Sequence, residues 1–167
     1  ILNMRNGKTI EVINTDAEGR LIMADALAFA SESKPDIICD VATLTGAAYV
    51  ALGVEIGAVF SNNKVTLDSF LNSNNDGFEN YHSLPLEQSY KSQIKSNIAD
   101  MKNSGGRFGG AITAALLLEE FVDDLNWIHL DIAGPARSRS SNSIYPEGGT
   151  GFGVLGYFNF LANEANS

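Results

Sequence analysis

The protein has 167 residues, of which 44% are hydrophobic and 19% are charged, an ordinary composition for a globular domain with a sizeable core. Its 20 acidic and 11 basic residues give a net charge of -9, which disfavours a general affinity for nucleic-acid backbones or anionic membrane surfaces. The lone cysteine, Cys39, excludes a disulfide framework and fits a reducing, cytoplasmic compartment, and its apolar surroundings predict a small buried hydrophobe.

Strand-like and helix-like segments alternate along the chain, the pattern of an α/β domain whose mainly parallel sheet is covered on both faces. Short runs rich in β-branched or apolar residues predict strands, and apolar residues at helical spacing predict helices. The predicted order is strand 8–14, helix 20–33, strand 36–44, short helix 45–53, strand 55–62, a surface helix with a long loop over 64–81, helix 84–94, helix 111–125, strand 126–134, polar loop 135–151 and a last helix near 152–165.

The segment NTDAEGRL, residues 14–21, interleaves polar side chains with small residues directly after the first predicted strand. An extended backbone would place four polar side chains on one side of the chain: Asn14, Asp16, Glu18 and Arg20. Adjacent carboxylates repel each other and favour a divalent cation as partner, and carboxylate oxygens suit Mg, Mn or Zn. A strand end in an α/β sheet is also where ligands bind. The alternative is that Asp16 or Glu18 caps the following helix while Arg20 forms a surface ion pair.

Two further segments could contact an anion through the backbone. In DVATLTGA, residues 43–46 leave a strand end for a short helix, where free amides could hold an anion or a substrate carbonyl; capping by Thr45 is the alternative. The glycine-dense SGGRFGG, residues 104–110, lacks the GK[ST] ending of a phosphate-binding loop. A tight approach of two chain segments at a helix start is therefore favoured over a nucleotide site.

The remaining charged residues give weaker signals. The acidic residues of EEFVDDL, residues 119–125, have helical spacing and predict a solvated face. His82 and His129 lack the paired spacing of a histidine-rich zinc site, and His129 is expected to be a hydrogen-bonded core or edge residue of a strand. Any general base must therefore come from elsewhere.

Taken together, several segments closely resemble the leucyl (cytosol) aminopeptidase family, and the resemblance covers nearly the whole chain. They occur in the order found in that family: NTDAEGRL, DVATLTGA, SNIADMKNSGGRFGGAITAALLLEEF, WIHLDIAGPA and GGTGFGV. NTDAEGRL matches the signature octapeptide of the family and is highly specific. The resemblance implies a three-layer α/β/α catalytic domain with a central mixed, mainly parallel sheet, of which residues 1–167 form part.

The resemblance also implies a function and a set of site residues. The family consists of metal-dependent aminopeptidases that remove leucine-like N-terminal residues from peptides, usually as cytoplasmic hexamers. By this likeness Asp16 and Glu18 bind metal within a site for two divalent ions, Mn or Zn or else Mg, and Arg20 binds a bicarbonate ion that serves as general base. Backbone contacts to the anion and substrate are implied at Thr43, Leu44 and Gly46. Ala133 would line the pocket for the N-terminal side chain.

Two departures from the family pattern accompany the resemblance. The other metal ligands of the family, a lysine and two aspartates, and its second catalytic lysine are expected before residue 1. The isolated 167-residue chain is accordingly expected to be inactive, and the alternative function is a catalytically incomplete binding or assembly module. In GFGVLGYFNFL the family more often has an arginine soon after GFGV, a change expected to affect packing or assembly.

Overall fold

The computed structural model of the protein describes residues 1–75, 77–141 and 144–166 and shows a mixed α/β fold. No described helix has the length and apolar character that crossing a bilayer would require. Two short 3-10 helices span Thr15–Ala17 and Gln88–Ile94. The strands and α-helices in chain order are β1 Leu2–Asn3, β2 Thr9–Glu11, α1 Glu18–Ser31, β3 Ile37–Ala42, α2 Gly46–Leu52, β4 Ile56–Ser61, α3 Lys64–Ser73, β5 Asn80–Ser83, β6 Met101–Lys102, α4 Gly110–Glu119, β7 Asn126–Asp131, β8 Arg137–Ser138, β9 Gly148–Gly149 and α5 Val154–Glu164.

The chain divides into two compact units, of which the first comprises Ile1–Ile38 and Pro85–Trp127. In this unit β2 pairs antiparallel with β1 and parallel with β6. Helix α1 packs against α4, and α4 also packs against the second 3-10 helix. The apolar run in α4 is buried throughout Ala114–Leu118, so this helix forms the centre of the first hydrophobic core.

The second unit comprises Cys39–Leu84 and Ile128–Ser167 and holds most of a four-stranded sheet with the order β3-β7-β4-β5. Strand β4 pairs parallel with β5 and antiparallel with β7, so the sheet is mixed, as predicted. In β4 the residues Ala58, Val59 and Phe60 are buried, whereas Val41 in β3 is 45% exposed. Burial on both faces, expected for both strands, therefore holds for β4 and not along all of β3.

Helix α5 is fixed to the second unit by a buried acidic side chain. The carboxylate of Glu79 accepts hydrogen bonds from Gly153 N at 2.9 Å and Gly156 N at 2.7 Å, which satisfies amides in the first turn of the helix. Tyr81 Oη donates to the same carboxylate at 2.6 Å, and burial followed by the interaction with Glu79 raises the pKa of that phenol. A Cβ on Gly156 would lie 2.1 Å from Tyr81 Oη, so this glycine is required by close packing.

At the glycine-dense segment 104–110, two chain segments approach closely at the start of a helix, as predicted. Gly109 precedes α4 with φ of 66°, a left-handed conformation that favours glycine. A Cβ at this position would lie 2.7 Å from the ring of Tyr90, so the ring packs directly on the glycine backbone. The segment therefore serves to join α4 to the 3-10 helix that precedes it.

The structure corrects several predicted segments. The segment predicted as helix 84–94 is a 3-10 helix beginning at Gln88, and α4 ends at Glu119 rather than 125. Strand β5 begins at Asn80, at the end of the predicted surface helix and loop 64–81, and the sequence did not predict β1, β6, β8 or β9. These strands are short or polar. Strands β5 and β6 pair with strands distant in sequence, whereas β1 pairs with the nearby β2. Residue 76 of that loop and residues 142 and 143 of the predicted polar loop lie outside the described residues.

Candidate metal centre

The signature segment does not continue as a strand beyond β2. Asn14 is extended, with φ of -141° and ψ of 115°, and its side-chain oxygen accepts a hydrogen bond from Asp16 N at 3.0 Å. This cap starts a 3-10 turn that leads directly into α1, because Asn in an extended conformation readily closes such a turn. The expected strand-like alternation of side chains over 14–20 is therefore wrong, although the predicted passage from strand to helix is confirmed.

Neither Asp16 nor Glu18 acts as a helix cap, which was the alternative to a metal site. The cap of the 3-10 turn is Asn14, and α1 begins after Ala17 without a hydrogen bond from a capping side chain. Asp16 and Glu18 are both exposed, in consecutive turns at the start of the helix. Their position in the first turns complements the helix dipole, and their oxygens are available to a ligand.

A buried asparagine from a distant part of the chain holds the signature segment in place. Asn103 is 0% exposed, and its side-chain oxygen accepts hydrogen bonds from Ile13 N at 3.0 Å and Asn14 N at 3.3 Å. Its side-chain nitrogen donates to Asn14 O at 2.6 Å and lies 3.5 Å from Ala17 O. One amide side chain thus satisfies donors and acceptors on both sides of the turn that carries Asp16.

The same asparagine anchors the arginine of the segment through its backbone. Arg20 is half-buried, and its Nη1 donates to the carbonyl oxygen of Asn103 at 2.9 Å. The carbonyl fixes one end of the guanidinium, whose fork of donors suits carboxylate-like anions. Asn103 therefore links the backbone of the acidic turn to the arginine that follows it.

The residues present suit part of a metal site. The carboxylates of Asp16 and Glu18 are oxygen donors of the kind that Mn, Zn and Mg accept. Among the residues that the structure describes, no group of three or more His, Cys, Asp or Glu side chains is placed to hold a metal ion. The described part of the chain therefore offers two candidate ligands rather than a complete coordination shell.

In the second unit, the TLTG segment is held by a different buried carboxylate. Asp131 is 1% exposed; its Oδ1 accepts from Leu44 N at 3.1 Å and Thr45 N at 3.3 Å, and its Oδ2 accepts from Thr45 Oγ1 at 2.6 Å. Ala133 N also donates to Oδ1, at 3.2 Å. The segment that follows β3 and the segment that follows β7 therefore share one anchor.

The hydrogen bonds to Asp131 contradict the expectation that the backbone amides after β3 are free to bind an anion. The amides of Leu44 and Thr45 are engaged by Asp131, while Thr45 Oγ1 caps α2 by accepting from Ala48 N at 3.0 Å. The capping alternative for Thr45 is thus confirmed. Thr43 and Gly46 are exposed, and Leu44 is half-buried.

Cys39 and His129 take structural positions in the second unit. Burial, followed by the nearby charges of Asp40 and Glu164, raises the pKa of the Cys39 thiol to about 11, so it stays protonated at neutral pH. His129 is 0% exposed, its Nδ1 lies 2.5 Å from Asp40 Oδ1, and its ring stacks on Phe60. The predicted hydrogen-bonded core histidine is confirmed, and Cys39 is half-buried rather than fully enclosed.

Comparison with known proteins decides the family. Residues 1–156 match the catalytic domain of the cytosol aminopeptidase family. The chain belongs to this family. A probable cytosol aminopeptidase of Prochlorococcus marinus subsp. pastoris is 48% identical over 165 residues, covering 98% of this chain and 34% of the relative. A probable cytosol aminopeptidase of Synechococcus is 50% identical over 166 residues, covering 99% of this chain and 34% of the relative. The chain thus spans about a third of the length of these cytosol aminopeptidases.

Solved structures confirm the mixed α/β fold. A tomato leucine aminopeptidase mutant is 43% identical and superposes with a TM-score of 0.89, over 95% of this chain and 31% of that one. The bottromycin maturation enzyme BotP is 38% identical, with a TM-score of 0.93, over 98% of this chain and 37% of that one. The fold expected from the resemblance to the cytosol aminopeptidases is therefore confirmed.

Sequence reasoning missed two residues that organise these cytosol aminopeptidase segments. Asn103 was overlooked because a single asparagine before a glycine-rich stretch resembles any loop residue. Asp131 carried a usable signal, since an aspartate closing the apolar strand β7 must find hydrogen-bond donors if it is buried. Each residue acts through contacts that are distant in sequence, which neither spacing nor composition reveals.

Proposed function

We propose that the gene product carrying this chain is a metal-dependent aminopeptidase that hydrolyses the N-terminal bond of peptides and prefers leucine-like first residues. The observation that carries the proposal is the signature turn, in which Asp16 and Glu18 are exposed together while Asn103 fixes the backbone beneath them. Family membership makes peptide hydrolysis the chemistry to expect of such a turn.

Asp16 and Glu18 would hold metal within a site for two divalent ions, Mn or Zn or else Mg. When bound, such ions polarise the carbonyl of the scissile bond and lower the pKa of water, which supplies a nucleophile at neutral pH. Arg20 would hold a bicarbonate ion as general base, in place of a histidine. The hydrogen bond from Arg20 to Asn103 supports this role, because an anchored guanidinium holds an anion at a defined position.

The second unit would supply substrate contacts. Thr43, Leu44 and Gly46 would lie beside the anion and the peptide, and Ala133 would line the pocket of the N-terminal side chain. The shared anchor Asp131 supports this assignment, because it ties the segment of Leu44 to that of Ala133. Since the amide of Leu44 is already engaged, its contact with substrate would use the carbonyl oxygen.

The larger assembly follows from the same proposal. Residues 1–167 would form part of a single catalytic domain, and the gene product would act in the cytoplasm as a hexamer. The names of the relatives, which include several probable cytosol aminopeptidases, support the cytoplasmic location. This segment, with its net charge of -9, is not expected to bind a membrane or nucleic acid.

A second candidate function is a catalytically incomplete binding or assembly module. It is favoured by the ligand pair described above, since the described residues contain no group of three potential metal ligands. This chain spans only about a third of the length of each relative, which also supports an incomplete site for the chain taken alone.

The proposal predicts that Asp16→Ala and Arg20→Ala each lower kcat/KM for a leucine anilide by on the order of a hundredfold or more, because metal and base both contribute at least that much to hydrolysis. The measurement is release of the anilide by the gene product with added Mn or Zn. Asp68→Ala and Arg5→Ala are matched controls, because Asp68 pairs with Lys64 and Arg5 pairs with Glu32 in ion pairs at the surface. Unchanged turnover in both test variants would contradict the assigned roles.

A further inference from the structure

A cavity beside Ala133 is lined by two arginines. It has a volume of about 240 Å³ and is bounded by Tyr49, Val54, Ala133, Gly134, Arg137 and Arg139. All six residues belong to the second unit. The two guanidiniums give the cavity a positive wall in a chain whose net charge is -9.

The walls of this arginine pocket are fixed by close packing. A Cβ on Gly134 would lie 2.0 Å from the carbonyl oxygen of Gly53 and 3.6 Å from the ring of Tyr49, so the backbone there is in direct contact with both. Ala133 is held through its amide by Asp131. The floor of the pocket is thus tied to the same anchor as the TLTG segment.

The two arginines are presented by a short hairpin. Arg137 pairs with Gly149 across β8 and β9, and Arg139 lies in the bend that follows β8; both arginines line the cavity. Arg139 Nη2 donates to Tyr49 Oη at 3.3 Å, which orients one guanidinium across the pocket. Within the described ranges, the ion pairs of the chain involve other basic residues, and neither guanidinium is neutralised by a carboxylate.

We propose that Arg137 and Arg139 bind a carboxylate of the peptide substrate in this pocket, so that the enzyme favours peptides carrying an acidic group close to the N-terminal bond. This inference rests on the proposed function, because it places the pocket beside the residue that would line the first side-chain site. Arginine is the side chain best shaped for carboxylates, and two of them offset the repulsion that an acidic protein exerts on an anionic substrate. The carboxylate could be the C-terminal group of a dipeptide or an acidic side chain.

Three pairs of peptides distinguish these possible origins of the bound carboxylate. Leucyl-leucine against its C-terminal amide tests the terminal carboxylate. Leucyl-glutamate amide against leucyl-glutamine amide tests a side chain at the second residue, and glutamyl-leucinamide against glutaminyl-leucinamide tests one at the first. We expect at least one acidic peptide to exceed its neutral partner by about tenfold in kcat/KM. The same difference, about tenfold, is expected in the binding affinity measured by calorimetry, because it is the contribution of about one charge-assisted hydrogen bond.

The variants test whether the arginines cause the preference. In Arg137→Gln with Arg139→Gln the acid-to-neutral ratio is expected to fall to about one, whereas Arg139→Lys keeps the charge and part of the ratio. Arg139→Glu is expected to shift the preference toward a peptide with lysine at the selected position. Arg5→Gln, which alters an exposed arginine of the first unit, is the matched control and keeps the ratio. Thermal unfolding of each variant establishes that it is folded.

Failure of this inference is distinct from failure of the proposed function. Ratios within twofold of one for all three pairs, or a ratio that persists in the double variant, would overturn the carboxylate site even if the leucine anilide is hydrolysed. Conversely, tighter binding of an acidic peptide that depends on both arginines would support the site even without hydrolysis of the anilide.

Discussion

At the scale of single residues, Asn103 explains why the signature turn holds its shape. The turn needs an acceptor for the amides of Ile13 and Asn14 and a donor for the carbonyl of Asn14. An asparagine side chain supplies both, whereas aspartate supplies only acceptors and leucine supplies neither. Because Asn103 is fully buried, a group left without its partner would be costly.

We predict that Asn103→Ala destabilises the first unit by about 1–3 kcal/mol, because it leaves buried groups unpaired. It is also expected to lower kcat more than it changes KM, because it releases the turn that carries Asp16. Asn103→Asp keeps the acceptor oxygens and is expected to retain part of the stability while still losing the hydrogen bond to Asn14 O. Urea unfolding measures the stability, and hydrolysis of a leucine anilide by the gene product measures kcat and KM. Mn titration by calorimetry tests whether the turn still presents its carboxylates to a metal ion.

Asn97→Ala is the matched control for that experiment, because Asn97 is an exposed asparagine of the same unit. If Asn103→Ala is folded and binds Mn as tightly as the unaltered protein, Asn103 has no positioning role toward the carboxylates.

At the scale of elements, the acidic residues at the end of α4 and just beyond it fall into two groups. Some form a cluster of ion pairs with lysines, and others are solvated. Glu120 Oε1 accepts from Lys91 Nζ at 2.6 Å, and the other carboxylate oxygen pairs with Lys8. Asp123 and Asp124 are exposed, as predicted, although they lie beyond the end of α4 rather than on a helical face. The expectation of a solvated face is therefore wrong for Glu119 and Glu120. The tertiary fold brings Lys91 within 3.3 Å of Glu119 and brings both Lys91 and Lys8 to Glu120.

This cluster makes stability depend on pH. Burial acts to raise the pKa of Glu120, but hydrogen bonds and charges from Lys8 and Lys91 outweigh it, and the net pKa lies below the usual value of 4.5. A lowered pKa in the folded state means that the carboxylate stabilises the fold above the unfolded pKa and loses this effect as pH falls through the folded pKa. The stabilisation is thus present at neutral pH.

We predict that Glu120→Gln lowers the free energy of unfolding by about 1 kcal/mol at neutral pH, after allowance for solvent screening of the partly exposed lysines. The difference between the variant and the unaltered protein should shrink steadily as the pH is lowered below the pKa of the unfolded glutamate, 4.5. Urea unfolding midpoints across this pH range measure it, with the exposed neighbour Asp124→Asn as control. A difference that is constant with pH would show that the ion cluster is not its cause.

At the scale of the whole molecule, the acidic pair belongs to the first unit, and the TLTG segment and the arginine pocket belong to the second. The chain also spans about a third of the length of the relatives it matches. Two carboxylates alone form a weak site for a divalent cation, because affinity depends on the number of ligands and their rigidity.

We predict that the isolated 167-residue chain binds Mn with a Kd on the order of a millimolar and does not hydrolyse leucine anilide, since two ligands leave the coordination shell incomplete. Calorimetric titration measures the affinity, and the double variant Asp16→Ala with Glu18→Ala gives the background. Tight binding of two ions by the unaltered chain would contradict this prediction.

The sequence by itself determined the alternation of helices and strands and the family. Apolar periodicity located α1, α4 and α5, because a helix or strand must hide its apolar side wherever it lies. The NTDAEGRL segment was recognisable because residue type and spacing alone define it. The same periodicity could not locate the strands β5 and β6, whose pairing depends on partners elsewhere in the chain.

Only the tertiary structure decided how the candidate site is held. It replaced the expected strand-like alternation with a turn capped by Asn14, and it assigned the amides of Leu44 and Thr45 to Asp131. It also brought Asn103 beneath the signature turn. The physical reason is that a buried polar group must find a hydrogen-bond partner, and the partner is chosen by the folded chain's geometry rather than by nearness in sequence.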